Sequence, residues 1–188
     1  MRHTNITRVI RIAVLLAVVG LAPHSVTLAG AAENPNGPQL PVGCESIEVE
    51  AGHKLIFHTY ARGVQIYKWN AATSAWVFDA PRASLFAEAN FFGEVGSHYR
   101  GPFWESKSGS TVRGRRVPGT GCKPDSSAIE WLKLDAPESS GPGIFNGITF
   151  IQRTNTTGGL APTEPGTTDG QLKEVPYTAE YYFYRAEN

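Results

Sequence analysis

His98 and Glu105 are the residues whose types and spacing best suit chemistry. They flank Tyr99-Arg100-Gly101-Pro102-Phe103-Trp104, where a glycine that tolerates a bend precedes a proline of fixed φ. The chain is expected to turn at Gly101-Pro102 and bring His98, Tyr99, Trp104 and Glu105 to one pocket mouth. A histidine near a carboxylate can act as a general base, its pKa tuned by that neighbour. With Tyr99 and Arg153, the pair would suffice for proton transfer or hydrolysis. In the plainer alternative Glu105 pairs with a surface arginine and His98 bonds a turn.

Other chemistries find less support. His53, His58 and His98 with Glu105 offer a three-nitrogen, one-oxygen set of the kind that holds zinc, iron or manganese. Strand-built metal sites often draw ligands from positions i and i+2 on one face, and no His-x-His occurs, so no metal site is assigned. No Gly-x-Ser-x-Gly, His-Glu-x-x-His, phosphate-cradling or dinucleotide glycine motif is present, and no cofactor is expected. The aromatic load is Tyr67, Trp69, Trp76, Trp104 and Trp131. Such rings either stack on a ligand or fill a β core. Tyr67 and Trp69 share one strand face, and His58 is expected to join them if that face is interior. Arg153 ends an apolar strand and needs a partner, either by anchoring the loop 156–175 or by meeting a ligand carboxylate or phosphate. The candidate ligand set is therefore His58, Tyr67, Trp69, His98, Tyr99, Trp104, Glu105 and Arg153.

These side chains must be carried by strands. Lys54 to Tyr60, Val64 to Trp69, Trp76 to Asp79, Val112 to Val117, Ile129 to Leu134, Gly147 to Thr154 and Ala179 to Tyr184 are rich in β-branched and aromatic residues. Each is bounded by Gly, Pro, Asn or Ser. Arg82 to Asn90 is expected to form at most a short helix. Arg113, Arg115 and Arg116 read as a solvated hairpin tip. Several strands carry large side chains on both faces, unlike a sheet half open to water. The expectation is all-β: a single antiparallel β-barrel or closed β-sandwich of about seven to nine strands.

Residues 1–31 have the order of a secretory signal peptide. Arg2, Arg8 and Arg11 precede the apolar run Ile12 to Ala22, and Ala29, Gly30 and Ala31 follow. The run is too short to span a bilayer. The leader takes three of the 17 basic residues and none of the 17 acidic ones, which leaves residues 32–188 at a net −3. A mildly acidic domain without a basic run is a poor match for nucleic acid. Cys44 and Cys122 are the only cysteines, and in an oxidising compartment such a pair is read first as a disulfide. The expectation is one secreted or periplasmic domain, 32–188, monomeric and without a membrane segment once the leader is removed.

A series of phrases in order carries a family resemblance. They are Gly52-His53-Lys54-Leu55-Ile56-Phe57-His58-Thr59-Tyr60-Ala61, Gly63-Val64-Gln65-Ile66-Tyr67-Lys68-Trp69 and Gly96-Ser97-His98-Tyr99-Arg100-Gly101-Pro102-Phe103-Trp104-Glu105. Gly109-Ser110-Thr111-Val112-Arg113-Gly114, Thr149 to Gly159 and Val175 to Tyr184 complete the series. Across about residues 40–186 the chain resembles the secreted bacterial and fungal proteins catalogued as domain of unknown function 3455. The resemblance implies an exported β-rich domain and supplies no catalytic residue. Three functions stay open: binding of a small apolar or sugar-like ligand in an aromatic-lined pocket, acid–base catalysis by His98, Glu105 and Tyr99, or an interaction domain without a small ligand.

Overall fold

The computed structural model describes residues 37–187; the expected signal peptide, 1–31, lies outside the described residues. Eight antiparallel strands follow one another around a single closed barrel. They are β1 (His53–Asn70), β2 (Ala75–Phe86), β3 (Glu94–Tyr99), β4 (Phe103–Ser106), β5 (Thr111–Arg116), β6 (Leu132–Ser140), β7 (Phe150–Gly158) and β8 (Leu172–Ala186). Each pairs with the next in sequence, and β8 returns to β1 to complete the ring. Closure gives every strand a neighbour on both sides, whereas an open sheet would leave two edge strands.

Two expected strands, Lys54 to Tyr60 and Val64 to Trp69, are one continuous strand, β1, of 18 residues. The glycine between them marks a close approach, not a break. A Cβ on Gly63 would lie 2.1 Å from the Arg82 carbonyl oxygen and 2.5 Å from Ala83 Cα on β2. Gly63→Ala should therefore push β1 from β2 and cost about 1–3 kcal/mol, the usual range for overpacking. Urea denaturation checks this, and an unchanged midpoint would refute the close-approach reading.

The expected helix from Arg82 does not form. Arg82 to Phe86 completes β2, because alternation there buries Ala83 and Leu85 inside the barrel while Arg82 reaches Glu174 outside at 2.7 Å. Register shifts bend the strands where the ring must curve: in β1 between Leu55 and Phe57, in β2 opposite Ile66/Tyr67, and in β7 after Thr154. Such bulges raise local twist and help a small barrel close.

From Phe57 to Trp69 the odd-numbered residues of β1 face inward, with Thr59, Ala61, Gln65, Tyr67 and Trp69 all buried. On β8 the inward set is Tyr177, Ala179, Tyr181 and Phe183. One end of the barrel is filled. The link between β6 and β7 places Phe145 with its ring centroid 4.7 Å from Phe183 and 6.0 Å from Phe57. Leu85, Val112 and Ile151 pack into the same cluster.

The outer face of β6–β8 is buried as well, which accounts for large side chains on both faces of these strands. The segment before β1, including a 3-10 turn at Glu45–Ile47, lies across it. Lys133 Nζ donates to the Glu48 carbonyl and to Glu50 Oε1, both at 2.8 Å, and Gln152 Nε2 donates to the Ile47 carbonyl at 2.7 Å. Tyr184 donates to Gln152 Oε1. Cys44 and Cys122 form a disulfide with Cα atoms 5.2 Å apart, and with Ile47 and Trp131 they make a second small apolar cluster.

Candidate functional site

Opposite the filled end the barrel holds a cavity of about 820 Å³ that opens to solvent, within the range of small-molecule sites. The links between β3 and β4, β5 and β6, and β7 and β8 all contribute to its wall, through Pro102, Ile129 and Leu160. Tyr67, Phe78, Trp104 and Tyr181 supply aromatic surface, and Leu132 and Leu134 aliphatic surface. The rings are locked by one another. His98 stacks on Trp104 at 4.1 Å between centroids, and Tyr181 meets both rings edge-on at 5.2 Å.

Three polar side chains interrupt this apolar wall: Gln65, His98 and Arg153. His98 is 3% exposed. Its Nδ1 lies 2.8 Å from the Phe103 carbonyl, which can only accept, so Nδ1 carries the proton and Nε2 the lone pair. Burial dominates its titration and, with the charge of Arg153 acting in the same direction, lowers the pKa to about 3. At neutral pH His98 is an uncharged imidazole. Arg153 donates through Nε and Nη2 to the Glu130 carbonyl at 3.1 and 2.8 Å. It thus anchors the link between β5 and β6, not the loop 156–175 expected to receive it. Tyr67 donates to the Gly159 carbonyl at 2.6 Å, and that contact ties down the start of the link between β7 and β8. Burial raises the pKa of Tyr67, Tyr177 and Tyr181, so all three remain phenols.

Charged residues surround the mouth. Arg113 pairs with Glu138 and Arg116 with Glu130, both at 3.0 Å, and Arg115 pairs with Asp135. These arginines belong to β5 and the cavity rim, not to a hairpin tip, because the turn expected there is displaced by the pairing of β5 with β6.

Of the candidate ligand residues, Tyr67, His98, Trp104 and Arg153 line the cavity. The chain does turn between β3 and β4, but antiparallel register separates the residues expected to meet. His98 pairs with Trp104 and Ser97 with Glu105, so Glu105 and Tyr99 share the opposite face. There Tyr99 donates to Glu105 Oε2 at 2.9 Å. The expected His98–Glu105 acid–base pair is not assembled.

His58 is also outside. It lies nine residues from Tyr67 along β1, and an odd spacing in a regular strand reverses the face. Its ring stacks on Tyr182 at 4.1 Å and its Nε2 lies 2.8 Å from Glu180 Oε2. Burial pushes the Glu180 carboxyl up, yet hydrogen bonds from His58, Tyr182 and Asn155 outweigh it and hold the pKa below its usual range. Trp69 points inward, but the link between β7 and β8 covers it at Gly166. Trp69 meets Trp76 edge-on at 5.3 Å, and Trp76 Nε1 donates to the Glu164 carbonyl at 2.8 Å. These tryptophans hold the link in place.

Gln65 and Tyr181 belong to the site and were not among the candidates. Gln65 was legible from its i, i+2 relation to Tyr67, and Tyr181 from the alternation of aromatics near the C-terminus. No curated protein and no solved structure matches the chain. A family model described as a protein of unknown function, DUF3455, matches residues 50–185. That span runs from the approach to β1 through nearly all of β8 and includes every cavity residue described above, and the chain belongs to this family.

Proposed function

We propose that the protein binds a small, largely apolar ligand inside the barrel. The observation that carries this reading is the cavity of about 820 Å³, with mutually locked aromatic walls and only a few polar groups. Binding sites of this kind take most of their affinity from apolar burial and their orientation from a small number of placed polar atoms. The filled end around Phe145 and Phe183 makes the cavity blind, so a ligand enters and leaves by the rim of β5 and the neighbouring links.

The same reading places the protein outside the cytoplasm, secreted or periplasmic. Its support is the disulfide and the basic, apolar, small-residue order of residues 1–31. No helix among the described residues is long and apolar enough to cross a membrane.

Titration with the neutral apolar probe N-phenyl-1-naphthylamine tests the binding reading. Saturable fluorescence enhancement at one probe per chain is expected, together with a small molecule released on denaturing protein purified from its own host. Absence of both would overturn the proposal.

A further inference from the structure

The cavity holds one inner cation, Arg153. Arg153 uses two N–H bonds on the Glu130 carbonyl. No carboxylate among the described residues pairs with Arg153, which lines the cavity without a counter-ion. A cation among apolar walls without a counter-ion is complementary to a ligand that brings the negative charge.

The charge distribution agrees. Residues 32–188 carry a net −3, yet the cavity and its rim hold Arg113, Arg115, Arg116, Lys123 and Arg153 against three carboxylates, Glu130, Glu138 and the Asp135 paired with Arg115. A basic mouth on an acidic domain draws anions towards it.

Resting on the reading of the cavity as a ligand site, we infer that the ligand is an organic monoanion. A carboxylate would pair with Arg153, and the flat apolar body would lie along Tyr67 and Phe78. The single inner cation sets the charge. Arg153 alone balances one negative charge among apolar walls, whereas a phosphate dianion would bring a second charge into low dielectric without a partner. The planar fork of a guanidinium also matches the two oxygens of a carboxylate.

Calorimetric titration with 2-naphthoate and its neutral counterpart 2-naphthamide separates the charge from the apolar body. In the unaltered protein 2-naphthoate should bind at least about tenfold tighter. Arg153→Met should remove that preference and leave 2-naphthamide binding within about twofold. The comparison of the two probes on the unaltered protein tests the inference even if Arg153→Met fails to fold for want of its tether to Glu130.

Equal binding of the two probes, or a preference that survives Arg153→Met, overturns the monoanion inference and leaves the ligand site standing. Binding of N-phenyl-1-naphthylamine without either naphthalene probe does the same. Failure of all three probes overturns the ligand site itself.

Discussion

Acidification from pH 7 to pH 3 should cost this fold up to about 5 kcal/mol through His98 alone. The imidazole titrates at about 3 in the folded chain and near 6.5 when unfolded. Between those values the unfolded chain binds the additional proton, so stability rises with pH across the window. The full stability is present above about pH 6.5 and is lost progressively as pH falls towards 3. The physical cause is the environment of His98: it is stacked on Trp104, edge-on to Tyr181 and within the field of Arg153, with no carboxylate to compensate a charge. His98→Phe keeps a ring and abolishes the titration. At pH 7 that variant should be less stable by about 1–3 kcal/mol, because the Phe103 carbonyl loses its donor. As pH falls the two stability curves should converge and then cross. Urea unfolding at several pH values measures both, and parallel curves would show that His98 is not buried as a neutral base.

Replacing Cys44 and Cys122 by serine should lower stability by about 4 kcal/mol, the chain-entropy value for a loop of this length. The bridge joins positions 78 residues apart in sequence. For a domain of about 150 residues this corresponds to a fall in Tm of roughly 8–16 °C. The loss should have a structural signature beyond the entropy. The bridge pins the segment that supplies the Glu48 carbonyl and Glu50 to Lys133 and the Ile47 carbonyl to Gln152. Release of that segment would expose Lys133, Gln152 and Tyr184, and amide exchange should accelerate across the outer face of β6–β8. Exchange in β2–β4, which the segment does not cover, should change least. A Tm shift of only a few degrees would mean that hydrogen bonds and Ile47 hold the segment without the bridge.

The two cases differ in how they could be foreseen. The disulfide was legible because only two cysteines exist. The isolation of His98 was not: Glu94 and Glu105 lie within seven residues of it in sequence, and the face each occupies depends on the register of β3 with β2 and β4. Those strands are short and carry Gly96, Ser97 and Ser106 among their aromatics, so neither has a long β-branched run to announce it. The helix expected from Arg82 fails for a related reason. Arg82 to Phe86 has weak local preference, and pairing with β1 decides its state.

Composition and local pattern determined the class of this protein. Aromatic and β-branched runs, separated by turn residues, leave strands as the stable local structure, and large side chains on both faces require those strands to be covered or closed. The same reading placed Tyr67, Trp104 and Arg153 among candidate ligand residues. Tertiary structure decided which candidates share the cavity. In a strand, adjacent positions face opposite sides, so a difference of one residue in register separates a cavity wall from solvent. That parity put His98 beside Trp104 and Tyr181, moved Glu105 and His58 to the outer face, and brought Gln65 in. Barrel closure then joined residues more than a hundred positions apart, such as Gln65 and Tyr181, through strand pairings that local sequence does not encode.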